Sequence, residues 1–376
     1  MTNQPKRRHS NNSWRQSDLR HGYTTSACAA ACAVAGMKAL DSGEAVESVT
    51  IDLPVEHDVT FEIVRCEVHS EGILCGTIKD SGDDPDITDG AEIQSFVAWR
   101  EQPGIEIRGG VGVGTVTKPG LPVEIGEPAI NPGPRRLIRR VVTAHGADIL
   151  SRRGVSIEIR VPKGEELAEE TLNPRLGIIG GISILGTSGV LKPYSNAAYR
   201  ASIHSSLSVA RTNGVDQVVL STGSRSEQYA MKIYPDLPPF SFIQVGDHMD
   251  YALKQGCRLG VKSANISGMI GKLSKLAQGR MQTHVSQGGV DLDFLTEIAT
   301  ELGANEALAD SIRRANTAHH AQKLLEKAEV DGLEQTLAKM AGRACLTYAP
   351  ELNEIEILLF TIGGDLLARK YIRRKK

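Results

Sequence analysis

Two glycine-rich loops in the sequence follow short apolar stretches and could bring backbone amides close to a ligand. The first lies in NPRLGIIGGISILGTSGVLKP, residues 173–193, and the second is STGS at residues 221–224, after an apolar stretch. In an open α/β sheet, loops of this kind meet at the carboxyl edge of the strands, where ligands bind. The two loops therefore predict one ligand cleft, although tight strand-to-helix turns alone would also account for the glycines.

A group of basic side chains accompanies these loops and could hold the carboxylates of an acidic substrate. The stretch SGMIGKLSKLAQGRMQTH, residues 267–284, supplies ammonium, guanidinium and imidazole groups near a glycine-flanked helix. Charged groups of these types bind carboxylates through charge-assisted hydrogen bonds. The full basic set is Lys118, Arg135, Arg136, Lys192, Lys272, Lys275, Arg280 and His284. Any one of these cations alone is better explained as part of a solvated surface.

Other chemistries find no support in the sequence. A Gly-x-Gly-x-x-Gly pattern is absent, and the Walker pattern fails around Gly271 and Lys272. Asp83, Asp84, Asp86 and Asp89 form an acidic turn, but Asp89 and Ser95 stand where a calcium loop requires glycine and glutamate, so we predict a turn that faces the substrate. Cys28 and Cys32 lack further ligands at useful spacing, and no metal site is predicted.

The composition is that of an ordinary globular protein large enough for two domains. The chain has 376 residues, 40% hydrophobic residues and a net charge of -2. This balance argues against a partner such as nucleic acid or an anionic membrane. The sequence has neither a spanning apolar stretch nor an apolar signal-peptide core, so we expect a cytoplasmic protein.

The pattern of elements predicts an α+β sheet domain with an inserted Rossmann-like α/β domain. An Ala-rich helix at Thr24 to Leu40 precedes a run of strands, whereas strands and helices alternate after Asn173. The first strand of that alternation is LGIIGG, a later one is Cys257 to Ala264, and three amphipathic helices follow from Leu292 to Met340. The predicted division is a flexible arm at 1–18, the α+β domain at 19–172, the α/β domain at 173–289, helices and a strand (Glu354 to Thr361) returning to the first domain at 290–367, and a solvated basic tail at 368–376.

Five segments stand in an order that resembles the CbiD family of cobalt-precorrin-5B C-1-methyltransferases. They are GYTTSACAAACA, GDDPDIT, GTVTKPGLPVEIGEPAINPGPR, NPRLGIIGGISILGTSGVLKP and GMIGKLSKLAQGRMQTH, and the resemblance runs from about Leu19 to Leu367. One departure lies in the first segment, where the family usually has Gly then Thr or Ser and this chain has Ser26 and Ala27.

The resemblance implies methyl transfer from S-adenosylmethionine to C-1 of a tetrapyrrole whose cobalt enters as part of the substrate, in anaerobic cobalamin biosynthesis. It also implies transient contacts with neighbouring pathway enzymes. On this reading the methyl donor contacts Gly180, Gly181, Gly186, Thr187, Ser188, Thr222 and Gly223. The tetrapyrrole carboxylates meet Lys118, Arg135, Lys192, Lys272, Lys275 and Arg280.

Two side chains are candidates for a general base, and two other functions are compatible with the sequence. His284 or Asp84 would remove a proton from the acceptor or product. One alternative is a non-catalytic carrier of corrinoid intermediates, which methyl-donor binding would distinguish. Another is a nucleotide-dependent reductase, which predicts NAD(P)H binding at the loop from Gly177 to Gly189.

Overall fold

The computed structural model describes residues 19–374, so the predicted arm at 1–18 and the last two residues of the basic tail lie outside the described residues. The described chain forms two compact units. The first comprises residues 19–117 and 122–195, and the second comprises residues 118–121 and 196–374. Among the described residues, no helix combines the length and apolar character needed to cross a membrane.

The first unit contains the elements from β1 to β13 and from α1 to α5, numbered in chain order. Its strands are β1 (Gly22–Tyr23), β2 (Ser48–Leu53), β3 (Glu56–Glu62), β4 (Arg65–His69), β5 (Gly72–Ile78), β6 (Glu92–Arg100), β7 (Ile105–Gly109), β8 (Gly112–Val113), β9 (Thr115–Val116), β10 (Gly154–Arg160), β11 (Ile178–Ile179), β12 (Gly181–Ile182) and β13 (Val190–Leu191). Its helices are α1 (Thr25–Ser42), α2 (Pro132–His145), α3 (Ala147–Leu150), α4 (Gly164–Glu169) and α5 (Asn173–Leu176).

A five-stranded sheet and the buried helix α1 make the core of the first unit. The strand order is β4-β5-β6-β10-β7, antiparallel except for the parallel pair β10 and β7. Helix α1 begins after Thr24, whose hydroxyl accepts from the amide of Ala27, and every residue from Thr25 to Met37 is buried. Its Ala and Cys side chains let it pack closely between sheet and helix α2. The predicted helix and the predicted run of strands are confirmed.

The glycine-rich segment after residue 177 also belongs to the first unit, which differs from the predicted boundary at residue 173. Strand β11 pairs with β9, β12 pairs with β8, and β13 pairs with β1. A Cβ on Gly181 would lie 2.2 Å from the carbonyl oxygen of Gly112, so glycine permits this close approach of two backbones. The prediction of LGIIGG as the first strand of the parallel sheet is therefore wrong, because hydrophobicity over a few residues does not specify the pairing partner.

The second unit contains the remaining elements, β14 to β18 and α6 to α13. Its strands are β14 (Gln217–Ser221), β15 (Phe242–Gln244), β16 (Ser263–Met269), β17 (Glu354–Phe360) and β18 (Leu366–Arg373). Its helices are α6 (Asn196–Thr212), α7 (Ser224–Ile233), α8 (Met249–Arg258), α9 (Ile270–Ala277), α10 (Leu292–Glu301), α11 (Glu306–Arg313), α12 (Ala318–Lys327) and α13 (Leu333–Tyr348).

The sheet of the second unit has the strand order β15-β14-β16-β17-β18. The first four strands run parallel, and β18 pairs antiparallel with β17 at the edge. The chain passes from β14 to β15 on one side and then crosses to β16 on the other. The strand order therefore reverses between β14 and β16, and the carboxyl ends of these strands form a topological switch point.

Several predictions for this unit are wrong in detail. Strand β17 lies beside β16, so the C-terminal region does not return to the first sheet, and an apolar strand that fits either sheet could not reveal this. Helix α8 continues to Arg258, and the next strand begins only at Ser263, after the left-handed turn at Gly260. Four helices, not three, occupy the region after Leu292. The basic run up to residue 373 forms β18 instead of a solvated tail, because its arginines pair with carboxylates of β17.

Candidate functional site

Two loops and the start of a helix gather at the carboxyl edge of the parallel sheet of the second unit. They are residues 222–223 after β14, residues 245–248 after β15, and the start of α9 after β16. The predicted residues Thr222 and Gly223 lie in the first of these loops, and space around Gly223 is open. This is the edge at which open α/β sheets bind ligands.

Asp247 is the charged centre of this edge. Its Oδ1 accepts from the Thr283 hydroxyl at 2.7 Å and lies 3.1 Å from the ammonium of Lys272. Lys272 also donates to the carbonyl oxygen of Thr222 at 2.8 Å, which ties the loops after β14 and β15 to the start of α9. Partial burial alone would raise the pKa of Asp247, but Thr283 and Lys272 lower it below its usual range, so the side chain is a carboxylate at neutral pH.

A second carboxylate, Glu227, lies on the first turn of α7 and is 1% exposed. Its Oε2 accepts a 2.7 Å hydrogen bond from the side-chain amide of Gln244, at the end of β15. Burial raises the pKa of Tyr199, and the negative charges of Asp247 and Glu227 raise it further. Both carboxylates are therefore close enough to the Tyr199 hydroxyl to affect its ionisation. The Tyr199 hydroxyl approaches Gly246, where a Cβ would lie 2.8 Å from it and where φ is +56°. Glycine is thus required at the turn that presents Asp247.

His248 follows Asp247 and is 6% exposed. Burial and the nearby guanidinium of Arg200 lower its pKa, so the imidazole is neutral at pH 7. Its Nδ1 lies 3.3 Å from the side-chain amide of Gln282, and its ring is 5.5 Å from that of Tyr199. These contacts of the buried ring with Gln282 and Tyr199 help to fix the conformation of the loop after β15.

Two of the predicted carboxylate-binding cations in this unit are occupied by internal contacts. The ammonium of Lys275 is buried and donates to the carbonyl oxygen of Thr283 at 2.8 Å. Burial and then the charge of Arg280 lower the pKa of Lys275. Arg280 donates to the carbonyl oxygens of Gln287 (2.6 Å) and Gly289 (3.2 Å). Both side chains hold the segment after α9 in place, and Lys272 is the member of the predicted set that lies at the sheet edge.

His284 is exposed at the end of the same segment and begins a short 3-10 turn. Its Nδ1 accepts from the backbone amide of Ser286 at 3.1 Å and is 2.7 Å from the Ser286 hydroxyl. In the neutral tautomer consistent with this bond the proton is on Nε2. The outward-facing nitrogen is then a donor, which is the wrong form for a general base.

The first unit holds the other glycine-rich loop against the start of α1. The amide of Ser26 donates to the carbonyl oxygen of Leu185, and its hydroxyl donates to that of Gly186 at 2.7 Å. The Thr25 hydroxyl accepts from the amide of Leu185 at 2.9 Å. Thr187 lies against Gly133 at the start of α2, where a Cβ would be 2.4 Å from its methyl carbon. Five predicted donor residues, Gly180, Gly181, Gly186, Thr187 and Ser188, belong to this unit, so the predicted donor set is divided between the two units.

The acidic turn is built on a buried lysine. Lys79 is 1% exposed, and its ammonium lies 3.0 Å from the carboxylate of Asp86. Asp86 in turn accepts from the amide and hydroxyl of Thr88. Asp84 projects from this turn, and its Oδ1 accepts from the amide of Tyr194 at 2.8 Å. Asp84 is thus a partly exposed carboxylate of the first unit, whereas His284 belongs to the second.

The remaining predicted cations have different surroundings. Arg135 donates to the carbonyl oxygens of Ile130 and Ile107, both at 3.0 Å, so its guanidinium stabilises the first unit's backbone. Lys118 belongs to the second unit, with its ammonium 5.2 Å from the ring centroid of Phe240. Lys192 is an exposed cation of the first unit beside β13.

The described residues were also compared with the arrangements that bind metal ions. Within residues 19–374, no group of three or more His, Cys, Asp or Glu side chains is arranged to hold a metal ion.

Sequence reasoning missed Asp247, Glu227 and Tyr199. The available signal was Gly246-Asp247 directly after the apolar stretch of β15, since an acidic residue at a strand end beside a switch point is typical of ribose recognition. Glu227 had no such signal, because its burial depends on how α7 packs on the sheet.

Comparisons with known proteins give consistent matches over nearly the whole chain. The sequence profile of the CbiD family matches residues 12–193, and that of the CbiD C-terminal domain matches residues 282–371. A protein of Geobacillus sp. named cobalt-precorrin-5B C(1)-methyltransferase is 48% identical over 358 residues, covering 93% of this chain and 96% of the relative. A protein of Priestia megaterium with the same name is 45% identical over 354 residues, covering 93% and 96%. The crystal structure of the cobalamin biosynthesis protein (cbiD) from Archaeoglobus fulgidus matches with 30% identity and a TM-score of 0.38, covering 75% of this chain and 84% of that one.

Proposed function

The chain belongs to the CbiD family, and from this membership we propose that it transfers a methyl group from S-adenosylmethionine to C-1 of cobalt-precorrin-5B, giving cobalt-precorrin-6A. It is a methyltransferase of cobalamin biosynthesis, as its relatives at 45% to 48% identity are named. The observation that carries the assignment is identity of 48% over 93% of the chain, which includes both units. Cobalt enters as part of the substrate.

The chemistry of the transfer fits a protein without a nucleophilic catalyst. A sulfonium donor is already activated, so the chain's main contribution is to align donor and acceptor and to exclude water. The buried thiols agree with this, because burial raises the pKa of Cys28 and Cys345 to about 12 and makes them poor nucleophiles. Polar groups on rigid elements, such as the ends of parallel strands, suit the task of alignment.

The tetrapyrrole is an apolar macrocycle with acetate and propionate carboxylates at its rim. We assign its recognition in part to the first unit, where Leu185 is 50% exposed in the glycine-rich loop. Lys192 lies in the same connected segment and is available to pair with a carboxylate. Arg135 stabilises the backbone of the same unit through its bonds to Ile130 and Ile107. A Lys192→Met variant should raise KM for the tetrapyrrole with little change in kcat, because a rim carboxylate is bound equally in the ground and transition states.

We also propose a general base, and the hydrogen bonds of the two candidates support Asp84 over His284. Asp84 offers a carboxylate oxygen beyond the one bonded to Tyr194, whereas the His284 tautomer whose Nδ1 accepts from Ser286 carries its proton on Nε2. Asp84→Asn should lower kcat by about 100-fold or more, and His284→Gln by much less. A large loss with His284→Gln and none with Asp84→Asn would exchange the two roles.

The decisive experiment is an anaerobic incubation with cobalt-precorrin-5B and methyl-deuterated S-adenosylmethionine, followed by mass spectrometry of the tetrapyrrole. One labelled methyl at C-1 is the expected product. Unchanged tetrapyrrole, with the Geobacillus relative active in parallel, would contradict the catalytic assignment. The corrinoid-carrier alternative would then predict binding of the tetrapyrrole with no affinity for the donor.

A further inference from the structure

The carboxyl edge of the second unit's sheet has features that suit a nucleoside with an attached amino acid. Thr222 and Asp247 come from two different loops, and the ammonium of Lys272, on α9, contacts both. Both bonds to the Asp247 carboxylate, from Thr283 and Lys272, go to Oδ1, and among residues 19–374 no side chain or amide donates to its Oδ2. The Asp247 side chain is 28% exposed, so Oδ2 can accept hydrogen bonds from a bound molecule.

We infer that this edge is the methyl-donor site, with Asp247 accepting hydrogen bonds from the ribose hydroxyls and Lys272 pairing with the carboxylate of the methionyl moiety. This inference rests on the proposed function, since it places the donor of that reaction. An acidic residue after the strand beside a switch point is the usual acceptor for ribose hydroxyls in doubly wound sheets. Here β15 ends beside β14, and Asp247 follows it by three residues.

The charges distinguish this donor from a phosphorylated nucleotide. The partly exposed Asp247 carboxylate would repel phosphates, whereas it favours the sulfonium and ammonium groups of S-adenosylmethionine. Tyr199 adds an aromatic ring that is 39% exposed and whose hydroxyl lies beside Gly246. Aromatic rings and carboxylates together are suited to a cationic ligand.

The absence of a phosphate-binding fingerprint then has a physical reason. S-adenosylmethionine carries no phosphate, so a Gly-x-Gly-x-x-Gly turn has nothing to bind. Gly246 is instead required by the approach of the Tyr199 hydroxyl to the backbone. The same argument disfavours NAD(P)H as the ligand of this edge.

Ligand truncation tests the roles one by one, with binding measured by calorimetry on the full chain. S-adenosylhomocysteine carries both ribose and carboxylate, 5'-methylthioadenosine lacks the amino acid, and sinefungin places a cation near the sulfonium position. Asp247→Asn should weaken all three ligands by about tenfold to a hundredfold, as expected for hydrogen bonds to a charged group. Lys272→Met should weaken S-adenosylhomocysteine but not 5'-methylthioadenosine.

Matched controls separate this site from the rest of the chain. Asp216→Asn removes a carboxylate that pairs with Arg211 at the opposite, amino end of β14 and should leave the affinities unchanged. Thr187→Ala and Ser188→Ala change the first unit's loop and should also retain the affinity of wild type for S-adenosylhomocysteine. Loss of binding in these two variants, with Asp247→Asn unaffected, would overturn the inference.

Hydrogen exchange of the wild-type chain keeps the test independent of whether Asp247→Asn folds. Saturating S-adenosylhomocysteine should slow exchange at residues 222–223, 245–248 and 270–272. Protection confined to residues 180–189 would refute the donor site while leaving the methyl transfer intact. Absence of any affinity of the wild type for donor or product would instead contradict the proposed function itself.

Discussion

The buried pair Lys79 and Asp86 predicts an unequal response to removal of its two partners. Lys79 is 1% exposed, whereas the side chain of Asp86 is 26% exposed and keeps two hydrogen bonds from Thr88 when the lysine is replaced. Asp86→Asn therefore leaves an ammonium buried without its counter-charge, while Lys79→Met leaves a carboxylate that water and Thr88 still solvate.

The magnitude follows from the geometry of the pair. At 3.0 Å and an effective dielectric constant of about 20, the attraction is about 5 kcal/mol before desolvation is counted. Loss of one partner of a fully buried pair destabilises by about 3–5 kcal/mol. Because water reaches Asp86, we expect about 3 kcal/mol for Asp86→Asn and about 1 kcal/mol for Lys79→Met.

Urea unfolding followed by Trp99 fluorescence measures this difference. Trp99 lies on β6, which pairs with β5, and Lys79 directly follows β5. A Trp14→Phe background leaves Trp99 as the sole tryptophan, because the chain contains two. The exposed pair of Asp41 and Arg152 supplies the control, and Asp41→Asn should change stability by less than about 1 kcal/mol. A Lys79→Met variant at least as destabilised as Asp86→Asn would refute the reasoning.

Three further predictions concern acid stability, the departure from the family pattern and the C-terminus. Burial raises the pKa of Asp86, but Lys79 and Thr88 lower it below its usual range overall, so its contribution to stability is complete above the unfolded pKa of about 4 and is lost as pH falls through the folded value. Urea titrations should show a smaller acid-induced loss for Asp86→Asn. Ser26→Ala removes the hydrogen bond to Gly186 and should destabilise the first unit by about 1 kcal/mol, and Ser26→Gly by about 1 kcal/mol more, measured through Trp99. Arg374 donates to the carbonyl oxygens of Leu346 and Leu352, so Arg374→Ala should lower the melting temperature, whereas a solvated tail predicts no change.

At the candidate site, residue type alone does not predict which basic side chain contacts Asp247. Lys272, Lys275 and Arg280 look equivalent in the sequence, and all three donate to backbone carbonyls of their own unit. Lys272 alone of these three contacts the carboxylate at the sheet edge. The distinction depends on which direction each side chain takes from α9 and its following loop, and helical spacing does not specify the partner at the end of a long side chain.

The sequence by itself determined the family, the helix α1 with its cap at Thr24, and the run of strands that follows. It also showed that strands and helices alternate later in the chain, although it placed the start of that region at Asn173 instead of residue 196. These features follow from local rules, because capping, hydrophobic period and long motifs are written in neighbouring residues. Tertiary structure alone decided that the segment after Gly177 stays with the first unit, that β17 pairs with β16, and that Asp247 lies beside Lys272. Each of these is a pairing between distant parts of the chain, and such pairings are set by the packing of the whole unit, which no local pattern encodes.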